Sequence, residues 1–246
     1  MFARELARRG WKVFAVARRQ DRLQALTEEA AEHDGTIVPF CADLSTAEGI
    51  ALVAKRITDL GTIDLLVNNA GVATSGDFLH STLERELAAI RLNVDAVVSL
   101  THSILKGMVQ RWNGAIINLA SVVGFQPFPH FALYAASKAF VLSFTEALAE
   151  EVKGSGVRVL ALCPGAAKTE MSAFSGNQGI LGKLPSLSPD EIVQTALTAV
   201  QRGRVVKIVG WLNRVLVFSD RFLPRAAVRW TMGKVVKAPS STLPSA

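Results

Sequence analysis

Tyrosine is nearly absent from this chain: of 246 residues only Tyr134 is one. Cysteine is almost as scarce. Cys41 and Cys163 sit at the ends of apolar strand-like runs, which reads as reduced core cysteine and excludes a disulfide scaffold. The four histidines, His33, His80, His102 and His130, show no ligand spacing, so no metal site is expected. No apolar run approaches the ~20 residues of a membrane span. Val13-Phe14-Ala15-Val16-Ala17 is too short for a secretory segment and reads as a strand. The expected location is therefore cytoplasmic, with membrane association left open by the C-terminal segment below.

Disorder is excluded as the general state, because 50% of the residues are apolar. At this length one large domain with a sizeable core is expected, over residues 1–210. Acidic residues are missing from one region in particular. From Gln201 to the end there are nine Lys/Arg and one acid, a local charge of +8 in a chain of net +6. That asymmetry suits an anionic surface or partner and not nucleic-acid binding by the whole fold.

Short β-rich runs alternate with longer helical patterns. Strands are expected at 12–17, 36–41, 63–67, 115–120, 157–163 and 205–209. Helices are expected near 2–9, 20–32, 46–59, 81–111, 131–153 and 189–202, the fourth broken near 91–93. Ser81-Thr82-Leu83-Glu84 and Ser188-Pro189-Asp190-Glu191 have the form of capping boxes. Continuous apolar strands between helices predict an α/β fold: a doubly wound parallel sheet covered on both faces. Ligands of such sheets lie beyond the carboxyl ends of the strands, where Asn68, Ser121 and Pro164 fall.

The chemistry concentrates there. Tyr134 and Lys138 are four apart on a helix and share one face. A phenol titrates near pH 10, and a neighbouring cation favours its phenolate, toward a useful general acid/base. Ser121, thirteen residues upstream of Tyr134, closes a strand and adds a hydroxyl. Asn68-Asn69-Ala70-Gly71 follows a buried strand, Asn93 lies in the helical segment after it, and Cys163-Pro164-Gly165 ends the strand after Tyr134.

In that order these pieces resemble the short-chain dehydrogenase/reductase (SDR) superfamily, from residue 1 to about 209 and more loosely to 237. The resemblance implies a Rossmann-type fold binding NAD or NADP. It implies Tyr134 as catalytic acid/base, with Lys138 lowering its pKa and holding the nicotinamide ribose. Ser121 would bond the substrate oxygen and Asn93 would organise a water-linked proton relay. Asp43, with Leu44 beside it, would meet the adenine; Asn69, Ala70 and Gly71 would line the cofactor cleft; Pro164, Gly165 and Thr169 would pack on the nicotinamide. SDR relatives are often homo-oligomers, and the same is expected here.

At the end of the 12–17 strand, an acidic residue would bind the ribose 2′-hydroxyl of NAD. Arg18 and Arg19 stand there instead and suit a 2′-phosphate, so NADP is favoured over NAD. Phe125, Pro127, Phe128, Pro129, His130 and Phe131, with Phe174, Ile180, Leu181 and Leu184 further on, are apolar where the family shapes its substrate pocket. A small hydrophobic carbonyl or alcohol is one expectation and plain core or lid packing the other. Gly176, Gly179 and Gly182 suit a mobile lid over 170–187.

The family's opening strand and Gly-rich phosphate turn are missing from this sequence, which begins at a helix like the one that follows that turn. The missing strand belongs in mid-sheet, between the 12–17 and 63–67 strands. A start further upstream is the expected explanation. The alternative is a catalytically inactive SDR-like binding or scaffold protein that cannot hold dinucleotide normally; a third reading keeps the fold but changes the reaction to epimerisation or dehydration. Residues 211–237 are apolar with interspersed Arg and Lys, divided by Pro224. They suit packing on the domain or an oligomer partner, or peripheral contact with an anionic membrane. Residues 238–246 are Pro/Ser-rich and expected to be disordered.

Overall fold

The structure, a computed structural model, describes residues 1–32, 34–165, 187–220 and 222–236. Thr169, most of the 170–187 loop and the 238–246 tail lie outside them. Six strands form as expected: β1 (Lys12–Ala17), β2 (Thr36–Cys41), β3 (Leu65–Asn68), β4 (Gly114–Leu119), β5 (Val157–Cys163) and β6 (Val206–Ile208). Among the described residues the six strands pair in parallel, in the orders β1-β2 and β3-β4-β5-β6.

β1 and β3 do not pair, so the sheet is in two pieces, divided where the sequence lacks a strand. Helix α1 (Phe2–Arg8) lies across the division. Its Phe2 and Leu6 pack with Val13 of β1, Leu65 and Val67 of β3, and the inner face of β4 and β5.

Period-two alternation sorts the strand side chains onto two faces. Ile116 and Val159 turn to helices α3 (Ala47–Leu60), α5 (Ala96–Gln110) and α6 (Ala132–Glu151). Ile117, Leu160 and Leu162 turn to α1 and α7 (Pro189–Gln201). Burial on both faces is why these strands read as unbroken apolar runs. Helix α2 (Gln20–Ala30) covers β1 and β2 through Leu23 and Ala30.

The chain does not break near residue 91. Helix α4 (Leu83–Ile90) runs into a π-helical turn, Arg91–Asp95, and on into α5. The extra residue of a π turn shifts the apolar stripe, which in sequence looks like a break. It turns Asn93 inward, where the side chain is buried. The box at Ser81 does not form either: Thr82 is the N-cap without a side-chain bond, and Ser81 Oγ donates to the Phe78 carbonyl. At Ser188 the hydroxyl does accept from the Glu191 amide, at 3.1 Å. Cys163 is buried but Cys41 is exposed, because β2 is an edge strand. The C-terminal stretch folds as α8 (Trp211–Asp220) and α9 (Arg225–Val235), with Pro224 capping the second.

A polar ladder crosses this apolar interior. Asn68 Nδ2 donates to Asn118 Oδ1 (2.8 Å) and Thr101 Oγ1 (3.1 Å); Asn118 Nδ2 donates to Thr145 Oγ1 (3.0 Å). All four residues are buried. Asn118→Ala strips partners from Asn68 and Thr145 at once and leaves a void. A loss of roughly 2–4 kcal/mol in urea-unfolding free energy is expected; a loss under about 0.5 kcal/mol would show the ladder to be dispensable.

Candidate active site

Asn93, Ser121, Tyr134 and Lys138 come together beyond the ends of β3 and β4. Tyr134 and Lys138 stand one turn apart on α6, and Lys138 Nζ lies 5.8 Å from the centre of the phenol ring. The ammonium is buried and donates to the carbonyl of Leu119, the last residue of β4, at 2.7 Å. Ser121 lies two residues past the end of β4, with its hydroxyl near enough to the Tyr134 phenol to oppose the rise that burial imposes on it. Its hydroxyl caps the short turn Val122–Phe125, accepting from the Val123 amide. That turn lies flat on α6 at Gly124, where a Cβ would come within 2.8 Å of the Lys138 backbone. Any side chain there would lift Ser121 away from Tyr134.

Asn93 works through the backbone. Its Oδ1 accepts from the Val72 amide and its Nδ2 donates to the Val72 carbonyl, both at 2.9 Å. Nδ2 also donates to Ser137 Oγ (3.1 Å), which donates to the Tyr134 carbonyl (2.7 Å). One amide thus ties the loop after β3 to the turn of α6 that carries the phenol. Gly71 sits inside this clasp, and a Cβ on it would come within 3.1 Å of Asn93 Oδ1 and 3.4 Å of Lys138 Nζ.

Desolvation governs the electrostatics. Burial pushes the Tyr134 phenol up from its ordinary value, opposed by the Ser121 hydrogen bond. The sequence-level expectation, a phenol lowered by Lys138, is overridden in this state. Burial also pulls Lys138 down to about 8, with the nearby Cys163 raising it slightly. Cys163 itself is pushed up to about 12, first by burial.

Of the remaining expected residues, some border this cluster and others lie apart from it. Arg18 and Arg19 follow β1 and are exposed; Asp43 follows β2. Asp43 Oδ1 accepts from Ser45 N and Oγ, while Oδ2 faces Arg18 Nη1 at 3.9 Å. Leu44 buries its side chain in the core, leaving only its backbone for a ligand. Asn69 and Ala70 are exposed at the end of β3. Pro164 accepts from the Val122 amide, joining the β4 and β5 ends, and Gly165 lies against the Asn213 amide. Phe128 and Phe131 meet edge-on at 5.6 Å and pack with Tyr134, Met232 and Val236. Pro129 and His130 turn away to a cleft of about 260 Å³ with Thr74, Asp77 and Glu86.

Sequence reasoning missed Ser137, and with it the Thr101, Asn118 and Thr145 supports. Their only signal was a polar residue in an apolar run, which does not say what it meets.

Residues 1–178 match the short chain dehydrogenase family. A short chain dehydrogenase of Pseudocercospora fijiensis is 35% identical over 167 residues, covering 67% of this chain and 54% of that protein. The 17-beta-hydroxysteroid dehydrogenase type 3 of Mus musculus is 33% identical over 202 residues, covering 81% of this chain and 64% of its own length. This chain thus spans between about half and two thirds of these curated relatives. Among solved structures, a short-chain dehydrogenase from Sphingobium yanoikuyae in complex with NADPH superposes with a TM-score of 0.81 at 31% identity, over 99% of this chain and 93% of that one. The fold, the Tyr134–Lys138 face beside Ser121 and these likenesses agree: the chain belongs to the short chain dehydrogenase family.

Proposed function

We propose that this protein is an NADP(H)-dependent oxidoreductase that interconverts a hydrophobic carbonyl compound and its alcohol, with Tyr134 as general acid/base. The observation that carries the reading is the Tyr134 phenol placed beside Ser121 and one helical turn from the buried Lys138 ammonium, whose Nζ lies 5.8 Å from the ring centre. A phenol kept protonated by burial is a proton donor, and a hydroxyl at its side can hold the same substrate oxygen.

The residues present fit the cofactor. Among the described residues the Lys138 ammonium makes one hydrogen bond, which leaves N–H groups for the ribose hydroxyls. Arg18 and Arg19 can fork onto a 2′-phosphate. Asp43 and the Leu44 backbone stand at the neighbouring strand end for the adenine. In this reading Asn69, Ala70 and Gly71 would line the cofactor cleft and Pro164 and Gly165 would pack on the nicotinamide; Thr169, expected there too, lies outside the described residues. When bound, the nicotinamide supplies the hydride.

In the reducing direction Ser121 Oγ hydrogen-bonds the carbonyl oxygen, and Tyr134 Oη passes its proton to that oxygen as charge develops. Lys138 stabilises the phenolate left behind. Asn93 holds the Val72 backbone and the Tyr134 turn, the fixed walls a proton-relay water requires. Substrate hydrophobicity is supported by the packing of Phe128, Phe131 and Met232 around Tyr134, and by the steroid dehydrogenase relative. The other reading is a binding protein without turnover. NADPH titration of this chain separates the two.

Tyr134→Phe should lower turnover by about 10²–10⁴-fold while NADPH binding is kept; unchanged turnover on an apolar ketone would sink the assignment. Replacing Arg18 and Arg19 by alanine should weaken NADPH by about tenfold or more and leave NADH unchanged, by equilibrium titration. Equal losses for both nucleotides would remove the 2′-phosphate role.

Lys138 generates a pH prediction. Its folded value, about 8, lies below the ordinary 10.5. Between those values the unfolded chain binds more protons, so stability rises with pH as the buried ammonium discharges. Lys138→Met removes that slope. The stability of Lys138→Met relative to wild type should therefore fall as pH goes from 8 to 10, by urea unfolding; a pH-independent difference would contradict the lowered value.

A further inference from the structure

The helices α8 and α9 carry the largest apolar exposure of the C-terminal region. Trp211, Val215, Phe218 and Phe222 recur at helical spacing and are 76%, 55%, 59% and 74% exposed. Phe218 and Phe222 meet edge-on at 5.2 Å, so the stripe is continuous past the end of α8. Trp230 on α9 is 63% exposed, and Lys234 Nζ stands 4.0 Å from its ring centre. Arg214, Arg225 and Arg229 are exposed among these side chains. On the inner side Val217, Val228 and Val236 are buried and hold the pair of helices to the domain.

We propose that helices α8 and α9 dock this protein on the surface of an anionic lipid bilayer. Exposed Trp and Phe interleaved with Arg and Lys match an interface whose acyl region accepts rings and whose headgroups accept cations. Lys234 over Trp230 is the geometry of a cation that lies along a ring and reaches for headgroups. The helices have ten and eleven residues, so each extends about 15 Å, half of a ~30 Å hydrocarbon core. Among the described residues no helix is long and apolar enough to cross a membrane. The two helices therefore lie in the surface.

Charge decides against a second copy as the occupant. α8 and α9 expose Arg214, Arg225, Arg229 and Lys234, so two such faces would meet as like charges. An anionic membrane neutralises these four together.

The surface is also connected to the active site. Met232 and Val236 of the α9 end pack in the same cluster as Phe128, Phe131 and Tyr134, and Gln126 Nε2 contacts Met232 Sδ at 3.4 Å. One side of α9 faces lipid and the other roofs the phenol. A bilayer-dissolved substrate would reach Tyr134 past Met232; this consequence rests on the oxidoreductase reading, whereas docking itself does not.

The test is co-sedimentation of the full chain with sucrose-loaded vesicles in ~0.1 M salt. Phosphatidylcholine vesicles with about 30 mol% phosphatidylserine are compared with pure phosphatidylcholine. About tenfold stronger partitioning to the anionic vesicles is expected, lost in both Trp211→Ala/Phe218→Ala and Arg225→Glu/Arg229→Glu. Wild-type thermal melts by circular dichroism establish that both variants fold, and no step depends on turnover. Failure of the wild type to sediment would overturn the proposal. So would an aromatic variant that binds like wild type, since charge alone would then explain adsorption. Dimers abolished by Trp211→Ala/Phe218→Ala, without vesicle binding, would overturn it in favour of contact between copies.

Discussion

A buried ammonium organises the active region. Lys138 is 5% exposed and its pKa falls to about 8, so the fold spends stability to keep this group dry. The group is retained there because β4 ends beneath it and offers the Leu119 carbonyl. α6 can cross at that height only because Gly124 lets the post-strand turn lie against its backbone. Once Lys138 is seated, helix geometry places Tyr134 one turn toward the N-terminus on the same face, beside Ser121 just past the end of β4. Phenol, hydroxyl and ammonium meet because one helix crosses one strand end.

The polar ladder holds the strand ends level. Asn68 and Asn118 are register partners across β3 and β4, and their amides bond each other in the interior. Slipping the pairing by one residue would turn one amide to the opposite face and leave both buried without partners. An apolar interior alone would tolerate such a slip far better. Register fixes how far Gly71 and Ser121 project beyond the sheet, and so whether the Asn93 clasp can close around Val72.

What was legible in the sequence follows from range. Parallel strands buried on both faces are written as continuous β-branched runs, and all six were visible to within two residues. Tyr134 and Lys138 were visible because four residues on a helix is a local relation. The division between β1 and β3 was visible because a strand was missing from the expected order. Asn118, Thr145 and Ser137 were not, since each acts through a partner at least 27 residues away or through a backbone group that the sequence does not mark. The π turn at Arg91–Asp95 was misread as a break for a related reason: a phase shift and an interruption look alike in a hydrophobic pattern. The capping hydroxyl of Ser81 had a competing carbonyl at Phe78, and nothing local favoured one over the other.

Burial was the quantity least visible, and it sets the protonation of the site. The same desolvation raises Tyr134 and lowers Lys138, so both groups are pushed toward their neutral forms. Their charges are therefore conditional. A ligand that brings hydroxyls or anionic oxygens to Lys138 Nζ stabilises the ammonium and raises its pKa; the ammonium, restored, favours the phenolate of Tyr134 a turn away. Linkage makes this reciprocal: whatever binds at Lys138 is held more tightly when the lysine is charged, and its binding readies the phenol to give up its proton. In the proposed reaction, proton donation by Tyr134 would thereby be tied to occupancy, which a pre-ionised tyrosine in an open, hydrated cleft could not achieve.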